Sequence, residues 1–526
     1  MKKIFFLLFV PVLALGEIGG PSARYPLPVE QPFGLALAGG NLVIADRATG
    51  QLLTFSLAEK KIIRSAPLPC DQPMGIAADG DGLWISDKGN KRLLHYLPEK
   101  NRVDRVLAAD LEADVTGIGW DGQALWVTSG NKFLKLDPSD GTEIQSFTMG
   151  PGMDATGVFF DGTYLWITER QRNLIGVATR DGEIFGVLPS PGPYPAGIVK
   201  VGSDLWVVDF EDRSLSTINV AATDRPYYAG PPHRRGLRFQ DALTNRGPSN
   251  EVAGKIYVCA ATEDAHQKFI KAPAFAPSRA AFVTDTWDQR FALVEGKIPA
   301  LKDLALAFDV QVETRDLKYF ILPEWVEPLD EIPAEIRQKY LQDGSKLKMN
   351  DPYIQTLVKQ IVGDEKNPFW IAFKIHKYLH LNMAYQMTGG WNAAPTVLKR
   401  GNGSCSEFTF AFLALARAAG LPARYEAGMV VRGDDGSIDD DYHRWVQVYL
   451  PPFGWIPVDS SRGKPAAAAD VALSFGSLSN RFFITTHSGG DSPYLGWTYN
   501  YRSFYEFSGK AVVDEKNEAK WRPLKD

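Results

Sequence analysis

Three residues in the stretch 403–459 have the chemistry of a nucleophile, a base and an orienting acid: Cys405, His443 and Asp459. Cys405 sits in Gly401-Asn402-Gly403-Ser404-Cys405-Ser406-Glu407-Phe408. Ser404 with Glu407 three positions on is a capping box, so the spacing predicts a helix that starts at Cys405. Phe408, Phe412, Leu413, Leu415 and Ala416 continue with helical period, and Gly420-Leu421-Pro422 ends the run. A thiol in the first turn of a helix meets aligned N–H dipoles, which favour the thiolate. Two such N–H groups could also hold an oxyanion. Gly401 and Gly403 let backbone and substrate approach closely. A buried structural thiol is the plainer reading, and the helix-terminal setting argues against it.

His443 opens the alternating stretch Tyr442-His443-Arg444-Trp445-Val446-Gln447-Val448-Tyr449-Leu450, which reads as a strand. Pro451-Pro452-Phe453-Gly454 turns the chain, and Trp455-Ile456-Pro457-Val458-Asp459 returns beside it. His443 can take the thiol proton while Asp459 fixes the imidazole tautomer. Both side chains must then share a face. Side chains alternate with period two, so the pairing needs an even index sum. A four-residue loop at 451–454 gives an odd sum, so a three- or five-residue loop, or one bulge, is expected. Arg444 is expected to face the surface.

These motifs, in this order, resemble the transglutaminase-like superfamily: Gly403-x-Cys405 opening a helix that ends in Arg417-Ala418-Ala419-Gly420-Leu421-Pro422-Ala423-Arg424, then His443-x-Trp445-Val446, then Gly454-Trp455-Ile456-Pro457-Val458-Asp459. The resemblance covers about residues 350–510. It implies Cys405 as nucleophile, His443 as base, Asp459 as orienter and a papain-like packing of helix on sheet. The family usually has Ala or Thr where Arg444 stands. An upstream side chain often completes the oxyanion hole in the family; Trp391 and Asn392 are the candidates. The tail from Arg481 to Tyr499 resembles the family's closing strands. Some relatives bind calcium, and the loop 434–441 carries five aspartates just before His443. It lacks EF-hand spacing and the terminal Glu, so a solvated acidic loop is the preferred reading and no cofactor or metal is expected.

Helical signals precede the cysteine at 332–342, at 351–362 with Asp351 as N-cap and Pro352 first, and at 368–381. His376 and His380 lie one turn apart, but without the Glu of His-Glu-x-x-His or a third ligand they read as ordinary histidines. Residues 252–326 alternate with β-branched and aromatic positions and read as a small antiparallel β domain. The stretch 221–247, rich in Pro, Arg and Gly, reads as a linker.

The N-terminal half is a repeat. Gly34, Gly75, Gly117, Gly157 and Gly197 lie 40 to 42 residues apart, each followed by a triplet such as Leu83-Trp84-Ile85, Leu125-Trp126-Val127 or Leu165-Trp166-Ile167. Short strands and turns at such a period are the signature of a β-propeller. Five units are visible, with room for a degenerate sixth. Arg24-Tyr25-Pro26-Leu27-Pro28 resembles Ser65-Ala66-Pro67-Leu68-Pro69, so the N-terminus is expected to supply the outer strand of the last blade. In repeat style the segment resembles NHL-like and lyase-like propellers. Asp46, Asp87, Glu169 and Asp209 recur after the triplets, but Ser129 breaks the series, so they read as turn caps rather than a shared metal site.

The expected fold is therefore multidomain: a signal peptide at 1–16, an all-β propeller at 17–225, a small antiparallel β domain with linker at 226–328, and an α+β transglutaminase-like catalytic domain at 329–526. Lys2 and Lys3, then an apolar run to Leu15 and Ala14-Leu15-Gly16, form the targeting pattern. That run is shorter than the ~20 residues a span needs, and no Cys follows it for lipidation. A periplasmic or secreted protein is expected, with no membrane span after cleavage. A net charge of −5 on 526 residues leaves no footprint for nucleic acid. The other cysteines, Cys70 and Cys259, read as small buried hydrophobes. The leading expectation is a peptidase or amidase that works through a Cys405 thioester on a protein or peptide substrate. The alternatives are a protein-glutamine acyl transferase and a non-catalytic scaffold. The propeller is expected to bind a protein or glycan partner.

Overall fold

The structure is a computed structural model that describes residues 21–80, 82–109, 111–223, 225–249, 252–387, 391–433, 438–439, 442–462 and 468–524. The expected signal peptide at 1–16 lies outside the described residues, as does most of the acidic loop 434–441. No described helix is long and apolar enough to cross a membrane. The chain divides into two compact units, residues 1–228 with 466–472, and residues 229–465 with 473–526.

The first unit contains five four-stranded antiparallel sheets. Four are built from consecutive strands, the first from Pro32–Ala38, Asn41–Asp46, Gln51–Ser56 and Lys61–Pro67. In the fifth, Pro195–Val201, Asp204–Asp209 and Ser214–Asn219 are joined by Pro21–Pro26, which pairs as the outer strand with Ser214–Asn219. The expected closure by the N-terminus is therefore the one observed.

The repeated glycines have a direct steric cause. A Cβ on Gly34 would meet the Met74 carbonyl at 2.3 Å, one on Gly75 would meet Gly117 at 2.6 Å, and one on Gly117 would meet Gly157 at 2.5 Å. Gly157 abuts the Ala196 carbonyl at 2.3 Å, and Gly197 returns to Phe33 and Leu35 at 2.7 Å. Each blade therefore packs its glycine on the backbone of the next, and the fifth packs on the first. Trp84, Trp126 and Trp166 are fully buried, with their indole N–H groups donating to the turn carboxylates of Asp79, Asp121 and Asp161 at 2.8, 3.1 and 2.9 Å. The recurring acids cap turns: Asp46 accepts from the Gln31 and Ala48 amides, Glu169 from those of Asp154, Gln171 and Arg172, and Asp209 from those of Tyr194 and Asp212.

The second unit joins two parts that the sequence suggested were separate. One five-stranded sheet runs Gln267–Ala276, Asp303–Thr314, His233–Pro248, Ala511–Pro523, Ile438–Asp439. A four-stranded sheet runs Ala281–Thr284, Arg290–Ile298, Val252–Cys259, Tyr501–Phe507. Leu237, Phe239 and Val310 of the first share a core with Val252, Ile256 and Val294 of the second, and with Met429, Val431 and Phe483 of the segment that holds Cys405 and His443. Two expectations are corrected here. Residues 233–248 are not linker but a central 16-residue strand, because Leu237, Phe239, Leu243 and Asn245 alternate into the core. The C-terminal strands within 501–523 complete the small β domain rather than the module expected to run from 329 to 526, because their partners are His233–Pro248 and Val252–Cys259.

The segment from 352 to 488 packs helices Pro352–Ile361, Pro368–Asn382, Ala394–Arg400 and Cys405–Ala418 around the sheet Gly454–Val458, Tyr442–Leu450, Ala423–Val430, Phe482–Ser488. Asp351 and Asn367 cap their helices by accepting from the Tyr353 and Phe369 amides. The helix Cys405–Ala418 is buried from Cys405 to Arg417, which makes it the central support of the segment.

Candidate active site

Cys405 is the first residue of its helix, with Ser404 as N-cap. The start of this helix is fixed by Glu407, which is fully buried. It accepts from the Ser404 amide at 3.1 Å and from the Asn392 amide and side chain at 3.0 and 3.2 Å, and it pairs with Arg400 at 3.0 Å. Gly403 is required by this packing, since a Cβ there would lie 2.7 Å from the Glu407 Cβ. The short strand Ala384–Tyr385 runs parallel to Asn402–Gly403 and brings Tyr385 to the same place.

The hairpin behind His443 follows the parity argument. Val446 pairs with Val458, Val448 with Ile456 and Leu450 with Gly454, which leaves a three-residue loop and an even index sum. Position 459 falls across from Trp445, two residues along from His443, so the imidazole and the carboxylate lie on one face. His443 Nε2 lies 2.6 Å from Asp459 Oδ2. The other carboxylate oxygen accepts from the Ser461 amide and hydroxyl at 3.1 and 2.6 Å. The imidazole stacks on Trp445 and Phe482 with centroids 5.7 and 5.3 Å apart, and the Trp445 indole is tied to Glu426 at 2.7 Å. With Nε2 committed to Asp459, Nδ1 is the nitrogen left for the thiol.

Electrostatics reinforce this geometry. Burial favours the neutral Cys405 thiol, but the hydrogen bond and charge of His443, followed by the Arg444 cation, outweigh it and lower its pKa. Burial likewise opposes charge on His443, yet Asp459 and the thiol raise the ring to about 10. Burial would raise Asp459, but the His443 charge and hydrogen bond bring it down to about 2. The site thus biases the thiol and the carboxylate towards their ionised forms and the imidazole towards its protonated form.

Cys405 and His443 open onto a cavity of about 350 Å³ lined also by Tyr385, Trp391, Tyr499, Phe482, Arg432 and Arg462. Of the two oxyanion candidates, Trp391 lines this cavity, whereas the Asn392 side chain is committed to Glu407. His376 and His380 are core residues; His376 lies 2.9 Å from the hydroxyl of Ser460, the neighbour of Asp459. Arg444, expected at the surface, is fully buried. Strand alternation sends it to the face opposite His443, and that face is covered by the helix and by aromatic rings. The cavity-lining Tyr385, Tyr499 and Arg462 carried no sequence signal of their own, apart from the position of Arg462 three residues after Asp459.

Residues 355–460 match the transglutaminase-like superfamily. An uncharacterised protein of Haemophilus influenzae is 29% identical over 176 residues, 28% of this chain and 47% of that protein. The uncharacterised protein YebA of Bacillus subtilis is 34% identical over 71 residues, 12% of this chain and 10% of that protein. The chain therefore spans less than half the length of either relative. Among solved structures, a candidate cysteine protease from Cytophaga hutchinsonii is 15% identical, covering 57% of this chain and 93% of that one with a TM-score of 0.42. Selenomethionine-substituted virginiamycin B lyase from Staphylococcus aureus is 22% identical, covering 38% and 69% with a TM-score of 0.27. The chain carries a transglutaminase-like domain at residues 355–460, and Cys405, His443 and Asp459 all fall within it.

Proposed function

We propose that the protein is an exported cysteine-dependent amide hydrolase, a peptidase or amidase, with Cys405 as nucleophile, His443 as base and then acid, and Asp459 as orienter. The observation that carries this reading is the buried Cys405–His443–Asp459 series opening onto a cavity large enough for a peptide segment. The Cys405 thiolate attacks the amide carbonyl carbon, and the carbonyl oxygen takes the charge at the helix N-terminus. The C–N bond breaks as the leaving amine or ammonia takes the proton from His443. Water then gives a proton to His443 and its oxygen attacks the thioester; the acid is released and the thiolate returns.

The cleft favours substrates with a carboxylate near the scissile amide, because Arg432 and Arg462 line it and none of its described lining residues is acidic. The propeller serves as a recruiting surface for a protein or glycan. The test compares wild type with Cys405→Ala on a peptide library, with products read by mass spectrometry. New amino termini or released ammonia with wild type alone is the expected result, and identical product profiles contradict the reading. Incorporation of a primary amine in place of water would instead assign acyl transfer.

A further inference from the structure

We propose that His376 is a positioning residue for the Asp459 carboxylate: it fastens the turn that carries Asp459 to the helix Pro368–Asn382. This deepens the reading of Asp459 as the orienter of His443 and rests on it. His376 is fully buried, and both of its ring nitrogens are engaged. Nδ1 lies 2.9 Å from the Ser460 hydroxyl, and Nε2 lies 3.1 Å from the Ser474 hydroxyl. A serine hydroxyl both donates and accepts, so each can answer whichever nitrogen carries the proton. Phe373, Phe475 and His380 surround the ring, with centroids 6.4, 5.7 and 5.8 Å away. In such a buried setting, deleting one partner leaves the other polar atom desolvated and unpaired.

The two serines stand at the two ends of the chain excursion that begins where the strand Gly454–Val458 stops. Val458 bridges Phe475 as the chain returns, and the Gly476 amide donates to the Pro457 carbonyl at 3.0 Å. The returning end has a second anchor, because Lys318 donates to the Leu473 and Phe475 carbonyls at 3.1 and 2.5 Å. The departing end bears directly on the site. Asp459 Oδ1 accepts from the Ser461 amide two residues on, so the backbone at Ser460 sets the direction of the carboxylate. Asp459 Oδ2 then meets His443 Nε2 at 2.6 Å. A contact that short tolerates little drift, and a partner on a packed helix is what keeps such a distance. Hydrogen bonds and one peptide link thus run without a gap from His376 through Ser460 and Asp459 to His443.

The experiment follows the imidazole titration of His443 by NMR of the full chain carrying isotope-labelled histidine, with His443→Gln assigning its signal among the seven histidines. Wild type is expected to titrate well above the ordinary histidine value of about 6.5, and Asp459→Asn marks the value without the carboxylate. Two isosteres separate the ring nitrogens. His376→Asn keeps a polar group at the Nδ1 position, facing Ser460, and His376→Gln keeps one at the Nε2 position, facing Ser474. His376→Asn is expected to hold the His443 midpoint within about 0.3 pH units of wild type, and His376→Gln to lower it by about 1 unit or more, towards Asp459→Asn. A merely structural role for His376 would lower the melting temperature of both variants without moving either midpoint. Folded variants whose His443 midpoints both match wild type, or match each other, overturn the proposal alone. A wild type whose His443 titrates at about 6.5 overturns the underlying reading as well. Should the His376 variants not fold, Ser460→Ala and Ser474→Ala remove the same bonds one at a time. Ser460→Ala is then expected to lower the midpoint by about 1 unit or more and Ser474→Ala to leave it unmoved, and equal midpoints overturn the proposal.

Discussion

The thiol in the propeller and the thiol that opens the helix Cys405–Ala418 are both buried, yet their pKa values are shifted in opposite directions. Cys70 is 8% exposed and Cys405 is 6% exposed, and all three cysteines of the chain are free. Burial and then the Asp87 charge push Cys70 up to about 12. Cys259, in the β domain, is likewise raised to about 12 by burial, although the Thr486 hydroxyl lies 3.2 Å from its sulfur. Burial also opposes ionisation of Cys405, which is lowered nonetheless. Burial thus disfavours ionisation of all three thiols, and Cys405 differs by the imidazole beside it.

The comparison can be broken most decisively by removing each sulfur in turn. Cys405→Ala is expected to lower turnover by about 10⁴-fold or more. Cys70→Ala and Cys259→Ala should leave turnover within a factor of about two while costing about 1 kcal/mol of stability each. Initial rates and thermal melts of the three variants check this. Asp459→Asn is expected to lower kcat by about 10² to 10⁴-fold, because the ring loses both orientation and the charge that keeps it protonated. It should also move Cys405 reactivity towards that of the other two thiols.

Stability against pH sharpens the same contrast. His443 is raised to about 10, so its contribution is complete below its ordinary value of 6.5 and is lost as pH rises through about 10. Asp459 is lowered to about 2, so its contribution is complete above its ordinary 3.8 and is lost as pH falls through about 2. Denaturation midpoints for wild type minus Asp459→Asn should therefore differ most between these ordinary values and converge towards both extremes. A difference independent of pH contradicts the ion pair. The smallest effect is expected for Arg432→Gln and Arg462→Gln. Each should lower kcat/KM by about two- to five-fold for acidic peptides, with little change for neutral ones and weakening with added salt.

Much of this was legible in local sequence. The propeller could be read because each blade needs the same glycine where backbones meet, so one steric demand is written five times. The start of the catalytic helix was legible from Ser404 and Glu407, and the hairpin loop from the parity linking His443 to Asp459. The strand His233–Pro248 is hidden because its four arginines, two glycines and proline dominate the composition, while Leu237, Phe239 and Leu243 carry the alternation. The pairing of Tyr501–Phe507 with Val252–Cys259 joins residues about 250 positions apart, which no local pattern encodes. The burial of Arg444 is hidden from the sequence for a related reason. Alternation already set it opposite His443, but only the tertiary packing of Trp391, Phe410, Tyr425 and Tyr499 reveals that both faces of that strand are covered.

The central claim is that Cys405 rests as a thiolate while its two sister thiols do not. The direct measurement is the alkylation rate of each cysteine in native wild-type protein as a function of pH, resolved by peptide mapping. The account predicts that Cys405 alone reacts at pH values well below the ordinary thiol midpoint of about 8.5, with a plateau already reached near neutrality. A Cys405 whose reactivity rises only above that midpoint, in step with Cys70 and Cys259, would contradict it.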